Sequence, residues 1–158
     1  RMYNLKTGEL IRAACVIGCI AAGAVSKIPY ATLFAHNMGM AFQIVDDILD
    51  YTPNNNTGKP AANDLQERKI TLPLLEVLEQ ATPELRAEII SAVERAATEP
   101  EAVDFIREQV VKYDGVNRAR MTLQRFLQRA LSELSHLEDT PYRQAMIDLC
   151  TFVAERDR

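Results

Sequence analysis

Four polar side chains in one short segment offer chemistry. In Phe42-Gln43-Ile44-Val45-Asp46-Asp47-Ile48-Leu49-Asp50, residues Gln43, Asp46, Asp47 and Asp50 stand at i, i+3, i+4 and i+7. On a helix that spacing places them on one face, with Ile44, Val45, Ile48 and Leu49 on the other. A solvated polar face normally mixes charge signs, yet no Lys or Arg occurs between Lys27 and Lys59. Asp46 and Asp50, one turn apart, repel by about 0.2–0.5 kcal/mol. The C-terminal end of a helix disfavours each anion by a further ~0.3–1 kcal/mol, and Asp is a weak helix former. A divalent cation is the simplest group that offsets these terms. Oxygen ligands without His or Cys suit Mg²⁺, which takes one or two carboxylates and fills its other positions with water or phosphate. The competing reading of the same stripe is a solvated acidic face.

Three lysines flank the stripe: Lys6 ahead of it, Lys59 and Lys69 after it. Each alone reads as a solvated side chain. Beside an acidic metal site they form a clamp for a polyphosphate, the metal bridging carboxylate to phosphate and the lysines taking the remaining charge. Gly58-Lys59 is no Walker A motif, because the upstream Gly and the following Ser/Thr are missing.

The elements that must hold these groups are helical. The 158 residues are 47% hydrophobic and 25% charged, a globular composition that fits one domain, 1–158. A net charge of −4 argues against a nucleic-acid partner bound through phosphates. Cys15, Cys19 and Cys150 make no disulfide framework and read as reduced thiols of a cytoplasmic protein. Ala13–Ser26 is too short to span a membrane, and 28–45 begins at Ile28-Pro29 and carries Thr32, His36, Asn37 and Gln43. Both stretches read instead as helices enclosed by other helices.

Helices are expected from Thr7 to about Val25 and from Pro29 to about Tyr51. A loop follows through Thr52–Pro60, then a turn from Asn63, a good N-cap, to Arg68 and a helix from Thr71 to Glu79. Four amphipathic helices complete the chain, near 83–97, 100–113, 115–137 and 141–157, with Thr82, Glu99 and Thr140 just ahead of prolines. No segment alternates with period two, so the chain is all-α. Phe34, Phe42, Phe126 and Phe152 are expected in the core, and His36 as a hydrogen-bonded interior histidine. Glu133-Leu134-Ser135-His136 is the only Glu-x-x-His, whereas a di-iron bundle needs two.

Gly39-Met40-Ala41-Phe42-Gln43-Ile44-Val45-Asp46-Asp47-Ile48-Leu49-Asp50-Tyr51, then Thr57-Gly58-Lys59-Pro60, Asn63-Asp64-Leu65 and Lys69-Ile70-Thr71-Leu72-Pro73-Leu74, resembles the second aspartate-rich region of the trans-isoprenyl (polyprenyl) diphosphate synthases. Lys6-Thr7 resembles that family's Lys-Thr pair, and the ending from Tyr142-Arg143 to Arg158 is similar to its bacterial long-chain members.

The resemblance implies the C-terminal part of the orthogonal helical isoprenoid synthase fold, with a central cavity. It implies Mg²⁺-dependent condensation of isopentenyl diphosphate with an allylic isoprenyl diphosphate, releasing pyrophosphate. Asp46, Asp47 and Asp50 would form the metal cluster, and Lys6, Lys59 and Lys69 would hold the allylic diphosphate. Lys6, Thr7 and Gln43 would be catalytic, the last two turning oxygens toward the developing cation. Asp64 would orient a lysine or a metal-bound water.

The family's first aspartate-rich motif and its trailing arginines have no match here, so the chain resembles a C-terminal half that is inactive alone. The resemblance also implies a homodimer or heteromer for the full-length protein. A non-catalytic regulatory subunit of the same fold is disfavoured because all three aspartates are intact. A terpene cyclase is disfavoured because no Asn/Asp-x-x-Ser/Thr-x-x-x-Glu follows on an appropriate helix.

Overall fold

The computed structural model describes residues 7–52 and 63–156. Among them no strand occurs; eight α-helices run α1 Thr7–Ala21, α2 Ile28–Tyr51, α3 Asn63–Gln66, α4 Leu72–Gln80, α5 Pro83–Arg95, α6 Pro100–Lys112, α7 Gly115–Leu134 and α8 Pro141–Glu155. A single 3-10 turn, Val25–Lys27, precedes α2. Prolines in the first turns of α4, α5, α6 and α8 start those helices where a missing amide costs nothing.

The helix caps divide by chemistry. Thr82 and Thr140 accept hydrogen bonds from the amides of Leu85 and Arg143, 3.3 and 3.2 Å away. Glu99 makes no such bond; its carboxylate takes Arg95 instead, Nη1 to Oε2 2.7 Å. Asn63 is the first residue of α3 rather than its cap.

The chain falls into two compact units, 1–45 with 122–158 and 46–121. The second has a closed core. Leu65, Leu74, Val77, Ile89 and Ile106 are completely buried, with Tyr51, Val93, Val103 and Val110 in the same cluster. Its helices approach closely at Gly115, where a Cβ would lie 2.4 Å from the Pro73 carbonyl oxygen.

In the first unit, Phe34, Ala35, Met38 and Ala41 of α2, Leu123, Leu127 and Leu134 of α7, and Cys150 and Val153 of α8 are buried. The Cys150 Sγ lies 3.7 Å from the Met38 Sδ, and burial raises its thiol pKa to about 11. Gly39 abuts Gly8, whose Cα would be 2.7 Å from an added Cβ. The Arg156 guanidinium sits 4.9 Å from the centroid of the Phe42 ring.

Three expectations change. Among the described residues helix α1 is not enclosed: Leu10, Ile17 and Ile20 are 73%, 64% and 58% exposed. His36 is exposed rather than interior, because α2 turns that position outward. Phe152 is also exposed, on the side of α8 opposite Cys150 and Val153, while Phe42 and Phe126 are half-buried and only Phe34 is a core residue. His136, the histidine of the Glu-x-x-His match, stacks on Tyr30 with ring centroids 4.1 Å apart.

Candidate functional site: the acidic end of α2

The last turns of α2 present Asp46, Asp47 and Asp50 in three different environments. Asp46 is exposed and Asp50 half-buried. Asp47 is 5% exposed. A buried carboxylate needs partners, because desolvating an unpaired charge costs several kcal/mol. Asp47 finds one in the backbone: the Leu72 amide donates to its Oδ2 at 3.0 Å. Leu72 opens α4, and the Thr71 side chain before it makes no capping bond. The carboxylate of Asp47 therefore satisfies a first-turn amide of α4 and meets the positive end of that helix dipole.

Asp50 does the same for α3. The Asn63 amide donates to its Oδ1 at 3.0 Å and the Asp64 amide to its Oδ2 at 3.2 Å. These two bonds lower the carboxyl pKa, but burial, followed by the negative charge of Asp64, outweighs them, and Asp46 adds to the upward shift. The net result is an Asp50 raised above its ordinary value, with burial the largest cause and the charge of Asp64 the next.

The lysine of the site is delivered by a tight helix ending. The Arg68 amide bonds to the Leu65 carbonyl (2.9 Å) and the Lys69 amide to the Asp64 carbonyl (2.8 Å), with Arg68 left-handed at φ 57°. This is the Schellman arrangement, in which the left-handed position is usually glycine. It turns Lys69 back over α3, where its Nζ donates to the Asp64 Oδ1 at 2.9 Å and pairs with the Glu67 Oε2 at 2.5 Å. Those hydrogen bonds, Glu67 first, raise the ammonium pKa above its ordinary value. Sequence reasoning placed the turn from Asn63 to Arg68 and the helix from Thr71, but missed Glu67 and the hydrogen bonds these starts give to Asp50 and Asp47. An arginine in place of the signature glycine concealed the left-handed ending of that turn, which brings Glu67 and Lys69 together.

Gln43 lies on α2, half-buried, one turn before Asp46 and Asp47. Thr7 opens α1, with its side chain outside the described residues. Lys6 and Lys59 also lie outside them. Among the described residues, no group of three or more Asp, Glu, His or Cys side chains is arranged to hold a metal ion by itself. No helix among them is long and apolar enough to cross a membrane.

Comparison with known proteins fixes the class. The family model for polyprenyl synthetase matches residues 1–110. The chain is 31% identical to heptaprenyl diphosphate synthase component 2 of Bacillus subtilis, over 99% of its own length and 44% of that protein's. It is 31% identical to octaprenyl diphosphate synthase of Escherichia coli, over 100% and 49%. Among solved structures, a decaprenyl diphosphate synthase from Rhodobacter capsulatus matches with a TM-score of 0.86 at 30% identity, covering 97% of this chain and 48% of that one. A polyprenyl synthase from Caulobacter crescentus, complexed with calcium and isoprenyl diphosphate, matches with a TM-score of 0.84 at 30% identity, over 98% and 48%.

The protein belongs to the polyprenyl synthetase family and has the all-α isoprenoid synthase fold. The chain spans less than half the length of these curated relatives.

Proposed function

We propose that this chain is the diphosphate- and metal-binding portion of a trans-prenyltransferase that joins isopentenyl diphosphate to an allylic isoprenyl diphosphate and releases pyrophosphate. In that reading 1–158 forms one part of a single synthase domain, working in the cytoplasm as a homodimer or heteromer. The supporting observation is the gathering of Asp46, Asp50 and Asp64 at the end of α2, where burial first and then neighbouring negative charge raise the Asp50 carboxyl. A site of that kind favours a cation.

The donor set fits Mg²⁺. Asp46 is exposed and Asp50 half-buried; a carboxylate that accepts one bond on each oxygen still has lone pairs for a metal. Two carboxylates match the habit of Mg²⁺, which fills its remaining positions with water and substrate phosphate. Asp47 fixes the start of α4 and so holds the acidic end of α2 in place. When bound, the ion would neutralise the diphosphate oxygens as the allylic C–O bond ionises.

This chain's own residues do the rest. Lys69 exchanges its carboxylate partners for diphosphate oxygens, and Lys6 and Lys59 join it. Thr7 and Gln43 turn oxygen atoms toward the allylic cation. Asp64 and Glu67 hold Lys69 until substrate arrives. The apolar helices exclude the water that would quench the cation.

The test is incorporation of labelled isopentenyl diphosphate by the full-length gene product in Mg²⁺. Asp46→Asn is expected to cut the rate about a hundredfold or more, the scale seen when one electrostatic contact to a departing charge is lost. An unchanged rate defeats the assignment. Residues 1–158 alone are expected to bind pyrophosphate weakly, only with Mg²⁺, and to yield no product.

A further inference from the structure

Three threonines stand just ahead of helices that carry proline in their first turn: Thr71 before α4, Thr82 before α5 and Thr140 before α8. Two of them cap. The hydroxyls of Thr82 and Thr140 accept the amides of Leu85 and Arg143, as a residue in that position usually does. Thr71 does not, although its backbone takes the extended geometry that capping needs, φ −96° and ψ 172°. Pro73 removes one amide that a capping hydroxyl could take, and the Leu72 amide is committed to Asp47. The Thr71 hydroxyl is thus diverted. It is also buried, at 4% exposure, with no hydrogen-bond partner among the described residues.

Tyr51, the last residue of α2, is in the same condition. It is 8% exposed, and its hydroxyl likewise meets no partner among the described residues. The two side chains face each other without completing a hydrogen bond. The charges of Asp50, Asp47 and Asp64 also reach the phenol, so acceptors stand in its neighbourhood. Leaving two hydroxyls buried and unbonded is costly, and native folds seldom do it. Buried waters sit where such groups converge and make about three hydrogen bonds each. A hydroxyl both donates and accepts, and water answers both capacities at once.

We infer that Tyr51 and Thr71 together hold one buried water, which ties the end of α2 to the start of α4 and so positions the acidic cluster. Both ends of that tie lead to the carboxylates. Tyr51 directly follows Asp50, and Thr71 directly precedes Leu72, whose amide holds Asp47. Tyr51 and Thr71 are thus positioning residues, acting on the aspartates through the backbone. That role rests on the cation reading of Asp46 and Asp50, whereas the water does not.

Tyr51→Phe and Thr71→Val each delete one hydroxyl and keep the shape, and urea unfolding of the chain reads the cost. For hydroxyls that are simply unbonded, either deletion leaves stability unchanged or raises it. With a shared water, each single variant is expected to lower the folding equilibrium constant about tenfold, a loss of about 1.4 kcal/mol. The double variant is expected to lose less than the two singles combined, because no hydroxyl is left behind. Neutral or stabilising singles overturn the inference, and so do losses that add. A crystal structure of the chain is expected to show one ordered water within hydrogen-bond distance of the Tyr51 Oη and the Thr71 Oγ1. A direct bond between the two hydroxyls, with no water there, also overturns it.

Calorimetry of pyrophosphate binding in Mg²⁺ separates position from stability. Thr71→Val is expected to weaken that binding about tenfold, the scale on which groups that orient metal ligands act. Thr71→Ser, which keeps the hydroxyl, is expected to bind as the wild type does. If Thr71→Val binds normally while Asp46→Asn does not bind, the positioning role falls and the cation reading stands. If Asp46→Asn binds as tightly as the wild type, the cation reading falls and the positioning role with it, and the water is judged by the unfolding data.

Discussion

The acidic end of α2 and the outer face of α1 are opposites. Around α2, costly groups are answered from nearby in the chain: Asp47 takes the Leu72 amide, and Asp50 takes those of Asn63 and Asp64. Beneath them lies a core whose Leu65, Leu74, Ile89 and Ile106 reach zero exposure. Helix α1 carries side chains just as apolar and leaves Leu10, Ile17 and Ile20 largely bare. The difference teaches that a polar site can be finished by short-range contacts within about 25 residues of sequence. An apolar helix needs cover from wherever the rest of the body lies.

The widest gap between the two regions is expected in stability. Ile106→Ala, which empties a fully buried position, should cost about 2–5 kcal/mol by urea denaturation. Ile17→Ala, at a mostly exposed position, should stay within about 0.5 kcal/mol in the isolated chain. Equal costs would show that α1 is covered after all, and the comparison would fail.

A smaller effect separates the aspartates. Asp47→Ala leaves the Leu72 amide without its acceptor and should cost about 1.5–3 kcal/mol, the range for a hydrogen bond to a charged group. Asp46→Ala, at an exposed position, should move the same unfolding curve by no more than about 0.5 kcal/mol. If Asp46→Ala proves the costlier, the division between a fold-holding Asp47 and an outward Asp46 is wrong.

The subtlest test is a titration. Asp50 should titrate above 3.8 by carbon NMR, because burial and the charges of Asp64 and Asp46 favour its neutral form. A carboxyl raised on folding contributes stability that is full below 3.8 and is lost as pH rises through the folded value. Asp50→Asn should flatten that fall, and Asp64→Asn should bring the midpoint back down. A midpoint below 3.8 would mean that the two amide donors outweigh burial and the neighbouring charges together.

Much of this was legible in the sequence. Apolar periodicity, first-turn prolines and turn residues placed every helix of four or more turns to within a few residues, since those signals act within one or two turns. The stripe Gln43, Asp46, Asp47, Asp50 followed from helical geometry alone. Its energetics did not. The sequence reading asked a cation to answer all three aspartates, but the amides that answer Asp47 and Asp50 belong to residues 13 to 25 positions later. No local pattern reports which amides a fold will turn toward a carboxylate. The pairing of Lys69 with Glu67 was hidden likewise, behind a left-handed Arg68 where a glycine would have announced how the turn ends.

By itself, then, the order of residues determined the helices and the face on which the acids stand, because both depend on a 3.6-residue period that neighbours enforce. Tertiary structure alone decided which aspartate serves the fold and which faces out, and which side of α1 is left bare. Those outcomes depend on what packs against each face, and burial is a property of partners distant in the chain.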